Sequence, residues 1–424
     1  MALTITEKIV RNASGRSDCR RGEIVTCRVD LALLLDSGGP RRIWPRLKEL
    51  GVGVWDPDRI VLCTDHFVPA VDTASAAILK LTREFAAEFG INNFFDMQGI
   101  GHLMLAEQGF LHPGMFACGG DSHSTHGGAF GCYISGFGAI EMTGVTVTGE
   151  IWVPVPETVR INWEGEFQHG VVAKDIMLKL CRELGMNNGG VVMEYGGSTV
   201  RAMDMQERAV LCNMAAELGA ETGIVEPDEV TLQALREAGQ QPAADALEWR
   251  SDPDAVYKTR LDFSSAELEP QIAAPHAPSN SGPVGDYRGT KINQAYVGSC
   301  VGAKLSDLHM VAEVLRGRKV KPGTRLMVAP ASARVMTAAA VDGTLAVITQ
   351  AGGIMLPTGC GACAALGAGI LAEDEVCVST TNRNFKGRMG ANSASVYLAS
   401  PYSVAAAAVA GELVDPREML RTVP

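Results

Sequence analysis

Short apolar runs alternate along this chain with segments of helical periodicity, the pattern of an α/β layer architecture. Arg59-Ile60-Val61-Leu62-Cys63 reads as a buried strand. After it, between Thr73 and Gly90, Ile78, Leu81, Phe85 and Phe89 recur on one helical face, with Asp72 or Thr73 as cap and Gly90 as stop. That predicts a helix packed on a sheet. The same punctuation returns where the chemically interesting residues lie: Met115-Phe116-Ala117-Cys118 precedes GGDSH, Ala295-Tyr296-Val297 precedes GSC, and Val376-Cys377-Val378 precedes STTNRNF. Ligands of open α/β sheets bind beyond the carboxyl ends of the strands, so these polar clusters, far apart in sequence, are expected to converge on one site.

The stretch Ala273 to Lys291 is rich in Pro, Gly, Ser and Asn, lacks apolar periodicity and reads as a linker. A second boundary falls near Pro154 to Val159, where Gly-rich segments give way to strand-like VRINWEGEF. The expected domains are therefore 1–157, 158–285 and 286–424.

Composition narrows the picture. With 424 residues, 46% hydrophobic and 20% charged, the chain is in the globular range and can bury more than one core. A net charge of -11 with no dense Lys/Arg run argues against nucleic acid as a partner. The N-terminal segment has no apolar signal core, and Glu7 and Asp18 argue against a transit peptide. No stretch approaches about 18 consecutive apolar residues, so no membrane span is expected, and the protein is expected to be cytoplasmic. Eleven cysteines scattered irregularly do not form a disulfide framework; some are expected to be ligands.

Cys360 and Cys363 form a C-x-x-C in PTGCGACAALG, and Gly359 and Gly361 free the backbone to turn both thiolates toward one metal or cluster. A redox pair, a zinc half-site and two buried thiols fit the same motif. Cys300, in YVGSC, is the natural third ligand, and three thiolates would leave one iron of a four-iron cluster open as a Lewis acid. Asp65-His66 and Asp121-Ser122-His123 each set a carboxylate beside an imidazole at a strand end, an arrangement that suits proton transfer to a leaving hydroxyl and equally suits a capped polar loop. His102 in QGIGH and Glu194 in VVMEYGG are weaker candidates. Asn382, Arg383 and Arg388 in STTNRNFKGRMG suit carboxylate recognition, or a solvated loop. Gly127, Gly128, Gly131, Gly136 and Gly138 lack the order of a phosphate loop and point to tight packing.

Taken together, TDHFVP, GIGH, GGDSHSTHGGAFG, TGEIWVPVPET, VVMEYGG, CNMAAELGA, GSC, GCGAC, STTNRNFKGRMG and VYLASP resemble the aconitase superfamily, in order and over nearly the whole chain. The resemblance is to its branch of isopropylmalate isomerase and homoaconitase large subunits. It implies three α/β/α domains around a cleft, without the swivelling fourth domain. It implies that Cys300, Cys360 and Cys363 hold a 4Fe-4S cluster, that His66 with Asp65 is the acid for a departing hydroxyl, and that His102, Asp121, His123 and Glu194 line the site. Ser122, Asn382, Arg383 and Arg388 are implied as substrate-binding or cluster-adjacent. The implied activity is reversible dehydration of a malate-like 2-hydroxy acid, with 3-isopropylmalate leading and 2,3-dimethylmalate or a homoaconitase-type acid as alternatives. The chain stops at Pro424, so a separate small, swivelling-domain subunit is expected to complete the site with the catalytic base. A zinc- or RNA-binding paralogue without catalysis is the rival reading, prompted by Val301 and Gly302 where the family usually has Thr-Asn.

Overall fold

Leu31–Leu35 and Ile60–Thr64 are buried at every position, as central parallel strands covered on both faces must be. In the computed structural model, which describes residues 2–420, they lie side by side in a five-stranded parallel sheet. Its order is Phe94–Asp96, Ile60–Thr64, Leu31–Leu35, Phe116–Gly119, Tyr133–Gly136. Successive side chains point to opposite faces. Leu31, Leu33 and Leu35 therefore enter a large core shared with the rest of the chain, whereas Ala32 and Leu34 enter a smaller one beneath their own helices.

A second, four-stranded parallel sheet has the order Thr222–Val225, Val191–Gly196, Glu157–Glu164, Thr259–Ser264. The third has seven strands, ordered Ser281–Pro283, Gln271–Ala273, Ser395–Ala399, Val376–Ser379, Gln294–Val297, Arg325–Val328, Gly353–Met355. Gln271–Ala273 runs antiparallel to both its neighbours, and the remaining pairs are parallel. An antiparallel ribbon pairs Ile24–Arg28 with Glu150–Pro154. No helix among the described residues is long and apolar enough to cross a membrane.

Two details depart from the expected pattern. The helix forms over Thr73–Phe89, with Asp72 accepting from the Ser75 N–H at 2.7 Å and Gly90 in the left-handed conformation as C-cap. Its buried stripe, however, is Ser75, Leu79, Thr82, Phe85 and Ala86. Ile78, Leu81 and Phe89 are only half-buried, because the helix is rotated to share Phe85 and Phe89 with Trp44 of the neighbouring helix Pro40–Leu50. The expected linker from Ala273 to Lys291 contains the edge strand Ser281–Pro283, which hydrogen-bonds to Gln271–Ala273 and through it to Ser395–Ala399. Strands of the third sheet thus begin before residue 286, in short edge segments where Pro and Gly are tolerated.

The glycine-rich run 122–131 packs closely, as expected. A Cβ on Gly128 would fall 1.8 Å from the Gly223 carbonyl oxygen, so the helical turn Ser122–Phe130 lies directly against the second sheet.

Candidate active site

Asp36, Asp65, His66, Asp121, Cys300 and Asn382 each follow the carboxyl end of a parallel strand. Direct contacts join these ends. The Cys360 N–H donates to the Asp65 carbonyl at 2.8 Å, tying the cysteine turn of the third sheet to the first. Ile100 N–H donates to the Ala331 carbonyl at 2.9 Å, just before the helix Gly101–Glu107 that carries His102.

His66 is 7% exposed and sits between two carboxylates. Its Nδ1 is 2.6 Å from Asp65 Oδ1 and 3.3 Å from Asp36 Oδ1. Asp36 also accepts the His66 and Phe67 N–H groups at 3.2 Å, and Asp65 Oδ2 accepts Gly101 N–H at 2.8 Å. Burial alone would lower the imidazole pKa, but the Asp65 and Asp36 carboxylates outweigh it and raise His66 well above its ordinary value. The three groups are close enough to surround a cation. Their oxygens are already committed to N–H donors, so the arrangement is a cage for a protonated imidazole.

Asp121 organises the second group. Its Oδ1 accepts the His123 N–H at 2.8 Å and lies 3.2 Å from His102 Nε2 and from His123 Nδ1. Burial raises its pKa, but the two histidines prevail and hold it well below the usual carboxylate range. His123 Nε2 is 3.0 Å from Glu217 Oε1, and the same oxygen accepts from Arg383 Nε at 2.8 Å. Ser122 is exposed between Asp121 and His123.

Asn213 connects this group to the cysteines. Its Nδ2 donates to Cys300 Sγ at 3.1 Å and also faces the His123 carbonyl and His126 Nδ1, while Asn382 Nδ2 donates to its Oδ1. Burial and the positive charge of its neighbours push His126 well below its usual pKa, so its Nδ1 is a neutral acceptor. Lys174, 1% exposed, donates to the Thr380 and Thr381 carbonyls at 3.3 and 2.7 Å and so fixes the loop that presents Asn382 and Arg383. Burial lowers its pKa to about 8.

The cysteines fit an iron–sulfur cluster better than a single ion. Cys300 and Cys363 are buried, Cys360 half-buried, and none is in a disulfide. Their thiols act on one another electrostatically, yet no group of three ligands containing them falls within 4.8 Å among the described residues. Thiolates tetrahedral about zinc at 2.3 Å would stand about 3.8 Å apart. Burial pushes Cys300 up to about 12 and Cys360 well above the usual thiol value, so ionising them requires a compensating metal charge. The Arg388 guanidinium faces Cys363, and its Nε, His102 Nδ1, Glu217 Oε2 and the Tyr296 hydroxyl are buried without partners among the described residues. Unpaired buried donors and acceptors in one region mark where a bound group would complete the hydrogen bonding.

Val301 and Gly302 leave no gap. A Cβ at Gly302 would lie 2.2 Å from Thr380 Oγ1, and that hydroxyl donates to the Gly298 carbonyl at 2.9 Å. Thr380 therefore occupies the space beside the Cys300 loop that a longer side chain at 302 would claim.

Glu194 is the one expected site residue that the structure does not bring to this group. It is fully buried in the second sheet, accepting from Arg160, from Ser251 at 2.9 Å and from Tyr257 at 2.9 Å. Ser251 in turn accepts the Ile5 N–H, so Glu194 anchors the N-terminal helix and the loop 251–257. The glutamate that the structure does bring to the group is Glu217, between His123 and Arg383. Glu194→Ala should lose about 3 kcal/mol of stability, because Ser251 and Tyr257 lose their buried acceptor and Arg160 keeps only Glu226, at 3.6 Å, as counter-ion. Denaturant titration measures this, and iron retention by the folded fraction should match wild type.

Comparison with known proteins adds an independent line. A family model described as "Aconitase family (aconitate hydratase)" matches residues 7–288 and 284–411. The chain is 43% identical to 3-isopropylmalate dehydratase large subunit 1 of Methanopyrus kandleri, covering 99% of this chain and 100% of that one. It is 40% identical to the methanogen homoaconitase large subunit of Methanocaldococcus jannaschii, over 97% and 99% of the two chains. The crystal structure of Thermococcus kodakaraensis aconitase X in its holo-form superposes with a TM-score of 0.51 at 13% identity, over 100% of both chains, a likeness of fold alone.

Proposed function

The chain belongs to the aconitase family, and from that premise we propose that it is the cluster-bearing large subunit of a hydro-lyase that reversibly dehydrates a malate-like 2-hydroxy acid. 3-Isopropylmalate is the leading substrate, with 2,3-dimethylmalate and homoaconitase-type acids as alternatives. The observation that carries this reading is the pairing of a doubly caged imidazolium, His66, with a buried three-cysteine region linked to it through the Asp65–Cys360 backbone contact.

Cys300, Cys360 and Cys363 would hold a 4Fe-4S cluster, which when bound supplies a Lewis-acidic iron open to a hydroxyl and a carboxylate. The chain's own groups then have distinct tasks. His66 holds the proton for the leaving hydroxyl, and Asp36 and Asp65 keep it charged. Asp121 orients His102 and His123, and Glu217 holds His123 and Arg383 in register. Arg383 and Arg388 offer planar donors to substrate carboxylates, with Ser122 and Asn382 beside them. Proton abstraction from the neighbouring carbon falls to a base on a separate small subunit, in keeping with the "large subunit" relatives.

The test is anaerobic reconstitution followed by turnover on the three acids, with and without the small partner. We expect equimolar iron and sulfide and activity only with the partner. Zinc without sulfide, or activity of the large subunit alone, would overturn the proposal.

A further inference from the structure

Tyr296 lies in the strand Gln294–Val297, four residues before Cys300, and its side chain is fully buried. Glycines make the room for it. A Cβ at Gly298 would meet the ring at 2.3 Å, one at Gly361 would stand 3.0 Å from the hydroxyl, and one at Gly369 would touch the ring edge at 3.6 Å. Gly361 lies between Cys360 and Cys363, so this cradle delivers the phenol to the turn that carries two of the three thiols. The backbone of Ala362, in the same turn, faces the hydroxyl oxygen, and the hydroxyl proton finds no acceptor among the described residues. A tyrosine phenol carries its proton at neutral pH and can donate it.

Leaving a buried phenol proton unpaired is unfavourable, and native structures rarely do so unless something absent from the chain accepts it. The cysteine turn is the side that offers an acceptor, because Gly361 and the Ala362 backbone, between Cys360 and Cys363, lie against the hydroxyl. A polar tip brought through a space only glycine allows is more than a core tyrosine needs, since phenylalanine would fill the same ring volume.

We propose that the Tyr296 hydroxyl donates a hydrogen bond to a sulfur of the cluster held by Cys300, Cys360 and Cys363, making Tyr296 a positioning residue that sets the cluster's reduction potential and its resistance to oxidative loss. The inference rests on the cluster reading above. A donor to sulfur stabilises the more negative, reduced state and raises the potential. Its removal makes oxidation easier.

Tyr296→Phe keeps the ring in its cradle and removes only the donor. Wild type and variant, each reconstituted anaerobically with the small subunit, are compared for iron and sulfide content, thermal midpoint, cluster midpoint potential, rate of bleaching in air, and exchangeable-proton couplings of the reduced cluster before and after transfer to D2O. We expect equal loading and thermal midpoint, a lower potential, several-fold faster bleaching, and loss of one exchangeable-proton coupling. Unchanged potential and couplings overturn this proposal and leave the cluster reading standing. A wild type that binds no iron and sulfide overturns both. Should the variant fail to load, wild type alone decides: no exchangeable proton coupled to its cluster overturns the proposal.

Discussion

His66→Ala is expected to lower turnover by about 10²–10⁴-fold, the usual range for a positioned general acid, while iron and sulfide content and visible absorbance stay at wild-type levels. The two readouts separate because His66 pairs with Asp65 and Asp36 and, among the described residues, makes no hydrogen bond to a cysteine. The pH dependence adds a second check. Burial opposes the charged imidazole, yet Asp65 and Asp36 raise its folded-state pKa well above the unfolded value of about 6.5. Its contribution to stability is therefore fully present below about pH 6.5 and is lost as pH rises through the folded-state pKa. The thermal midpoints of wild type and His66→Ala should differ most in mild acid and converge in alkali. Asp36→Asn removes one side of the cage, so the alkaline limb of the turnover profile should move to lower pH. Turnover by His66→Ala at the wild-type rate would remove His66 from the chemistry.

What the sequence exposed and what it hid follow from how each residue signals itself. Strand ends punctuated by polar clusters are a local pattern, and Asp65, His66, Asp121, His123 and Cys300 could be placed from it. Asp36 gives the same signal, a polar residue directly after the fully apolar Leu31–Leu35, but with no imidazole or thiol beside it in sequence. Glu194 misleads because alternation along Val191–Gly196 sends it and Tyr195 to opposite faces, and the sequence does not say which face meets the cleft. Tyr195 faces the region of Glu217 and Cys212, whereas Glu194 faces Arg160. Glu217 itself lies in a short turn, Met214–Leu218, with no imidazole or cysteine next to it in sequence. Only the second sheet's docking against the first makes it His123's partner. Lys174 is hidden for a related reason: a lysine on the amphipathic helix Ala173–Leu184 is normally solvated, and its burial is decided by carbonyls more than 200 residues away.

Glu217→Gln should be the more damaging of the isosteric changes in this site, for reasons of charge. The carboxylate is fully enclosed, and a single oxygen serves both His123 Nε2 at 3.0 Å and Arg383 Nε at 2.8 Å. Burial would raise its pKa, but His123, Arg383 and Lys174 together lower it below the ordinary glutamate value. Its stabilisation is thus present above the unfolded pKa of about 4.3 and is lost as pH falls through the folded value. Glutamine keeps the shape and deletes the charge. Half-buried Arg383 then lacks its counter-ion, and destabilisation of about 3 kcal/mol is expected at neutral pH, shrinking toward acid as wild type also loses the charge. His123, raised mainly by Glu217 against the effect of burial, should titrate at lower pH in the variant. With Arg383 unanchored, KM for the hydroxy acid should rise about tenfold or more, the equivalent of one charge-assisted hydrogen bond. Denaturant titration across pH and steady-state kinetics measure the two halves. A variant with wild-type KM but reduced stability would make Glu217 a purely structural counter-ion, and one with wild-type stability would mean that Arg383 and His123 find other partners.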